Sequence, residues 1–260
     1  MKPYRILGKN RYFEVLGSMN VENRSDHKVA MLGEIDMSRI EAIRSELAAV
    51  TGQKPSYTAF VARAVALALR EQPHANRIVI EWPFWKRMVQ LENIDITVAV
   101  ERDSEGHEQA VYAGTIRDAD QLTLPGMTEK LQELARATPE NSERWRLMKM
   151  VVEKLPTWLA KILVSMPNWT PSLWIEHRGG SVMISSPAKY GVDIMVGAWP
   201  FPLGFSFGLV KERPIAVNGE VVVKPTMMLT MSFDRRFMGG APAARFFNTI
   251  SKHLNHPDAL

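Results

Sequence analysis

Apolar residues along this chain recur with two different periods, and the switches between them mark out its elements. Over residues 94–100 the alternation is strict: Ile94, Ile96, Val98 and Val100 face one way, Asp95 and Thr97 the other. That is the pattern of a half-buried strand. Residues 227–234 alternate likewise, with Leu229, Met231 and Phe233 set against Thr230, Ser232 and Asp234. Further strands are expected over 29–35, 110–116 and 182–185. Between them the period becomes helical. Ile40, Ile43 and Leu47 share one face of a helix opening on Ser38 and Glu41, which have capping-box spacing. Phe60, Ala64, Leu67 and Ala68 form the expected buried stripe of a helix over 56–71, after a loop at 51–55. Residues 124–137 predict another amphipathic helix, and Pro242 stands near the start of a last one carrying Phe246, Phe247, Ile250 and Leu254. Asn218-Gly219, between apolar runs at 214–217 and 220–223, predicts a tight hairpin because both residues tolerate positive φ.

Strands and helices thus intermix without repeats or Gly/Ser linkers. The reading is one α/β domain over 29–260, preceded by a polar arm over 1–28. With 46% of 260 residues hydrophobic, there is apolar material for one large core. The absence of cysteine excludes disulfides and thiolate ligands, and no His-x-x-x-His or calcium-loop spacing points to a metal. A net charge of +4 does not by itself imply nucleic acid. Arg144, Arg146 and Lys149 read as a solvated helix face. No uncharged run approaches the ~20 residues of a membrane span, and no apolar stretch follows Met1-Lys2-Pro3-Tyr4-Arg5 as in a signal peptide. A soluble cytoplasmic protein is expected.

The most informative stretch is Ser232-Phe233-Asp234-Arg235-Arg236-Phe237-Met238-Gly239-Gly240, followed by Ala241-Pro242-Ala243-Ala244-Arg245-Phe246. It resembles the C-terminal signature of the 2-oxoacid dehydrogenase acyltransferases, S-F-D-H-R-x-x-D-G before a helix beginning A-x-x-A-R-F. Lys211-Glu212-Arg213-Pro214 with the Asn-Gly hairpin, and Ile116-Arg117-Asp118-Ala119-Asp120, resemble two further family segments. The resemblance implies a chloramphenicol-acetyltransferase-like fold, with a mixed central sheet flanked by helices, and a homotrimer with its site between subunits. It also implies coenzyme A or an acyl-coenzyme A as ligand, with no covalently bound cofactor. The family's lipoyl and subunit-binding domains have no counterpart in this sequence, which implies a chain without a swinging arm of its own.

In the resembled family the histidine is the general base that deprotonates a thiol, the aspartate four residues on supports it, and a hydroxyl stabilises the oxyanion. The hydroxyl falls at Ser185. Arg235 stands at the histidine position and Gly239 at the aspartate position. A guanidinium has only donors and stays charged, so Arg235 cannot take a proton from a thiol. Losing a general base costs about 10²–10⁴ in rate. The first expectation is therefore a catalytically impaired relative, kept as a trimeric structural or acyl-ligand-binding protein, with Arg235 paired to a carboxylate. The alternative is an active acyltransferase with an unorthodox base. Of the histidines at 27, 74, 107, 177, 253 and 256, His27 and His177 are the candidates for a displaced one.

Relative to the family pattern, residues 144–178 read as an apolar insertion, two short amphipathic helices meeting near Pro156. Leu147, Val151, Leu155, Leu159, Ile162 and Leu163 are the expected packed face, and Lys149, Glu153, Lys154 and Lys161 the wet one. Packing onto its own trimer is the expectation. A lid over an acyl pocket, or a surface that makes the protein a membrane-associated adaptor, is the alternative.

Overall fold

A computed structural model of the chain describes residues 27–82, 85–104, 107–138 and 140–260. The N-terminal arm, apart from its last two residues, lies outside the described residues.

The centre is a seven-stranded mixed sheet. It consists of β1 (Lys28–Asp36), β4 (Ile96–Ser104), β5 (His107–Ile116), β6 (Val182–Ser185), β7 (Leu203–Phe207), β8 (Lys211–Val217) and β9 (Glu220–Asp234), in the order β1-β9-β7-β6-β4-β5, with β8 also on β9. Strands β4, β6 and β7 run parallel and the other pairs antiparallel. A separate hairpin joins β2 (Arg77–Trp82) and β3 (Trp85–Gln90). The helices are α1 (Ser38–Thr51), α2 (Tyr57–Glu71), α3 (Leu124–Arg136), α4 (Glu143–Lys154), α5 (Thr157–Ser165), α6 (Pro171–His177) and α7 (Gly240–Asn255).

Helices α2, α3 and α7 pack on one face of the sheet. Val182, Ile184, Leu203, Phe205, Leu229, Met231 and Phe233 project to that side, alternate residues as strand geometry requires. Phe205 meets Phe246 of α7 edge to face, ring centroids 6.4 Å apart. Burying each such ring contributes roughly 1.5–3 kcal/mol. The opposite face carries smaller and more polar residues and is covered by the β2–β3 hairpin, Trp174 and Phe201, with Met183 between them.

Several expectations change in three dimensions. Residues 220–223 and 227–234 form one fifteen-residue strand, β9. Pro225 lacks an N–H, but counting from the two-residue hairpin it faces Glu212 of β8 in a non-hydrogen-bonded pair, and on its other edge β1 ends opposite Thr226, so no ladder bond is forfeited. The strand expected at 94–100 starts at Ile96, lies between β5 and β6 in the sheet, and is buried on both faces at Ile96, Thr97 and Val98. Asp95 lies just before it, buried, accepting from Arg117 at 2.6 Å and the Asp118 N–H at 3.0 Å. The family-like phrase at 116–120 is thus a clasp between the end of β5 and the start of β4.

The capping box at Ser38 does not form. The Asp36 carboxylate accepts from the Ser38 N–H at 2.9 Å and hydroxyl at 2.6 Å, while Glu41 binds Arg44 and the Tyr57 hydroxyl. Helix α2 is buried around most of its circumference rather than along one stripe, and Leu67 is only half-buried. The Asn218-Gly219 turn has φ of 52° and 87°, as a tight hairpin turn requires.

Candidate functional site

Ser185 is the last residue of β6, and it opens onto a cleft of about 550 Å³. The floor is β4 at Val98 to Glu101, one wall is α3 through Leu131 and Ala135, and the other is the start of α2 at Ser56 and Thr58. Ser56 caps α2, accepting from the Ala59 N–H at 3.2 Å. The adjoining Ser186 hydroxyl donates to the Phe207 carbonyl at 2.9 Å, and Ser185 and Ser186 both line the cleft. Lys54 and Lys189 bring cations to the rim, both more than half exposed or nearly so. Lys189 and the Tyr190 hydroxyl both donate to Glu101, and those bonds hold its carboxyl below the usual range.

Arg235 stands elsewhere. It follows β9, is exposed, and its N–H donates to the His27 carbonyl at 2.8 Å. Among the described residues it is Arg236, and not Arg235, that pairs with the neighbouring carboxylate. Its Nη2 lies 2.6 Å and its Nε 3.0 Å from Asp234 Oδ2, and its N–H donates to Asp234 Oδ1. The reason is alternation, which turns Asp234 and Arg235 to opposite faces at the end of the strand.

Burial alone would raise the Asp234 carboxyl, but bonds and charge from Arg236, with the charge of Lys28, bring it below its ordinary value. Lys28 opposes Asp234 in the ladder and donates to the Phe201 carbonyl at 2.5 Å. Burial pushes its ammonium down to about 8, against the pull of Asp234. Sequence reasoning passed over Lys28, because a lysine opening a strand gives no signal until its cross-strand partner is known.

Gly239 is the residue before α7, with φ −76° and ψ 169° and no side-chain cap. A Cβ added there would meet only Pro242, at 3.9 Å. The lost side chain is therefore not enforced by crowding.

Strand register separates the two positions. Ser185 is level with Ser206, and Ser206 with Thr230, five residues before Arg235. At about 3.3 Å per residue and 4.8 Å per strand, Ser185 and Arg235 lie roughly 16 Å apart along the sheet and 10 Å across it. Within one protomer they cannot touch a common atom. His177 ends α6, exposed, before β6 begins, and is not beside Ser185.

The apolar region at 144–178 does form helices meeting at Pro156, α4 and α5, and continues through α6. Its packed side matches expectation at Val151 and Leu155, which pack against Val152 and Ala160, and departs from it elsewhere. Val152 and Ala160 are buried between the helices and Trp145 is buried beside them, whereas Leu147 and Ile162 are exposed by 49% and 41%. Trp158 and Trp169 are exposed as well. Arg144, expected on a solvated face, is half-buried and anchors α4 to β5, donating to the Thr115 hydroxyl at 3.0 Å and to the His177 carbonyl. At the far end Trp174 packs edge to face on Phe201, centroids 5.9 Å apart. That places this region at the Asp234 end of the sheet. No described helix is long and apolar enough to cross a membrane.

Comparison with known proteins follows this geometry. The family model for the 2-oxoacid dehydrogenases acyltransferase (catalytic domain) matches residues 15–148 and 176–260, leaving 149–175 unmatched. The dihydrolipoyllysine-residue acetyltransferase component of the pyruvate dehydrogenase complex of Mycoplasma capricolum subsp. capricolum is 26% identical over 86% of this chain and 44% of its own length. The dihydrolipoyllysine-residue succinyltransferase component of the 2-oxoglutarate dehydrogenase complex of Haemophilus influenzae is 25% identical over 87% and 48%. This chain thus spans less than half the length of either. The dihydrolipoamide acetyltransferase of Azotobacter vinelandii superposes with a TM-score of 0.73 at 19% identity, covering 98% of this chain and 93% of that one. Chloramphenicol acetyltransferase superposes with a TM-score of 0.53 at 14% identity over 93% and 95%. The fold is that of the acyltransferase cores and of chloramphenicol acetyltransferase.

Proposed function

The chain belongs to the family of 2-oxoacid dehydrogenase acyltransferase catalytic domains, and from that premise we propose that it is a cytoplasmic, trimeric acyl-thioester-binding protein. Coenzyme A or its acyl thioester occupies the Ser185 cleft of one protomer and meets Arg235 of the next. The observation that carries this reading is the separation of Ser185 from Arg235: only a second copy can bring the two to one reacting atom. A closed cyclic assembly does so for every copy at once. The cleft's size suits a cofactor-sized ligand. Val98, Leu131 and Ala135 suit a pantetheine arm, and Lys54 with Lys189 suits its phosphates.

Chemically, the Ser185 hydroxyl is suited to donate to the oxyanion of a thioester carbonyl under attack. Arg235 is suited to hold an anion, whether carboxylate, phosphate or thiolate. It cannot accept a proton, so the family's route through position 235 is slowed by about 10²–10⁴. The exposed Trp158, Ile162 and Trp169 support reading the unmatched region as a subunit contact of the same trimer. Co-sedimentation with anionic vesicles would instead favour the membrane-adaptor reading.

Light scattering and calorimetry test the proposal together. The expected results are a mass three times 29.4 kDa and saturable binding of acetyl-coenzyme A that weakens at least fivefold in Lys54→Glu. Ser185→Ala should keep the trimer and the binding and lower any acyl transfer. A monomer at micromolar concentration, or no binding of acetyl-coenzyme A, overturns the reading.

A further inference from the structure

We propose that His27 is the general base of this chain, standing across the β1–β9 ladder from the position where the family carries its histidine. The inference rests on the thioester-binding reading above and deepens it.

The ladder pairs Lys28 with Asp234 and Val29 with Phe233. The ladder ends at Lys28 and Asp234, and one backbone bond continues beyond it: the Arg235 N–H donates to the His27 carbonyl at 2.8 Å, which keeps residues 27 and 235 side by side. Directly opposed residues of an antiparallel pair project from the same face, Cβ atoms about 5 Å apart. With their backbones joined in this way, an imidazole and a guanidinium leave the same end of the β1–β9 pair. His27 is half-buried and Arg235 exposed, so this rung faces outward at the strand end, where a neighbouring protomer's cleft has to arrive.

The competing bases are placed differently. Lys28 points to the other face, tied to Phe201 and Asp234. His177 ends α6, its ring 4.0 Å from Glu176.

Two side chains would then divide what one does in the family. The His27 imidazole takes the proton of the attacking thiol, and the Arg235 guanidinium stabilises the resulting thiolate. The thiolate sulfur bonds to the thioester carbonyl carbon, and the oxyanion is held by the Ser185 hydroxyl of the neighbouring protomer. Collapse breaks the original carbon–sulfur bond, and the departing thiolate recovers the proton from the His27 imidazolium. Donor and acceptor are both thiols, so no further co-reactant is needed.

Acetyl transfer from acetyl-coenzyme A to dihydrolipoamide is measured on the full chain, with acetyl-coenzyme A affinity by calorimetry and mass by light scattering. Because the ladder bond uses the carbonyl of residue 27, His27→Gln and His27→Ala should both assemble. The expected result is measurable wild-type transfer, a fall in kcat of about 100-fold in either variant, affinity within threefold, and partial rescue of His27→Ala by added imidazole. His177→Gln should stay within twofold of wild type. Transfer that survives His27→Gln, or wild-type protein that binds acetyl-coenzyme A without transferring it, overturns the inference and leaves the binding proposal standing. Absence of acetyl-coenzyme A binding overturns both.

Discussion

At one end of the central sheet polar groups line an open cleft; at the other they are nearly all bound to one another. Ser185, Ser56 and Lys54 line a space of about 550 Å³. At the opposite end Asp234 takes Arg236, Lys28 takes the Phe201 carbonyl, and Trp174 closes over Phe201. The contrast shows where a fold tolerates loss of a catalytic group. Asp234 and Arg236, which bind each other, match the family's signature. The two departures, Arg235 and Gly239, are both exposed. Within the protomer, what replaced the histidine had no packing to satisfy.

The largest effect is expected where backbone meets backbone at the closed end. A Cβ on Gly180 would lie 1.9 Å from the Asp95 carbonyl oxygen, a backbone atom that cannot swing away. Gly180→Ala should therefore destabilise by about 3 kcal/mol or more, read by urea denaturation at fixed protomer concentration. A loss under 1 kcal/mol would mean that this end is looser than its contacts imply.

Lys28 sharpens the comparison through pH. Its folded-state pKa of about 8 lies below the ordinary 10.5, so below pH 8 the folded protein holds a charged, poorly solvated amine. That burden lifts as the pH rises through 8, because the unfolded chain still binds the proton there. Between pH 7 and 9 the wild type should gain about 1 kcal/mol relative to Lys28→Met. Parallel stability curves for the two proteins over that interval would show the amine to be fully hydrated.

The smallest expected effect has the opposite sign. Gly239 precedes α7 in extended conformation, with room for a side chain. Gly239→Asp should cap the helix and restrict the unfolded chain, stabilising by about 0.5–1 kcal/mol. Without a base at 235 it should not raise acyl transfer. Destabilisation by Gly239→Asp would show that the glycine is required by its surroundings.

Much of the fold was legible along the chain because alternation and helical period are local properties. The Asn218-Gly219 hairpin, the short strand ending at Ser185, and the last helix with Phe246 and Ile250 stand where their patterns put them. The β2–β3 hairpin was not read. Ile78 and Ile80 alternate only briefly, and it is packing with Trp174 and Phe201, far along the chain, that buries them. Proline at 225 hid the continuity of β9, since its missing N–H matters only if a neighbouring strand needs it there.

The chain's own residues determined that position 235 holds no proton acceptor, since the chemistry of arginine does not depend on where it sits. They determined the strand and helix periods for the same reason: each is set by neighbours a few residues away. Which side chains share a site was decided only in three dimensions. Arg236, not Arg235, binds Asp234 because alternation and burial select between adjacent residues. Lys28 loses its ordinary basicity because a partner strand two hundred residues away buries it. His27 comes to Arg235 through the register of β1 on β9, and Ser185 is set at the far end of the same sheet by the register of β6 on β7 and of β7 on β9. Register and strand order are sums over pairings distant in sequence, and no local window of residues contains them.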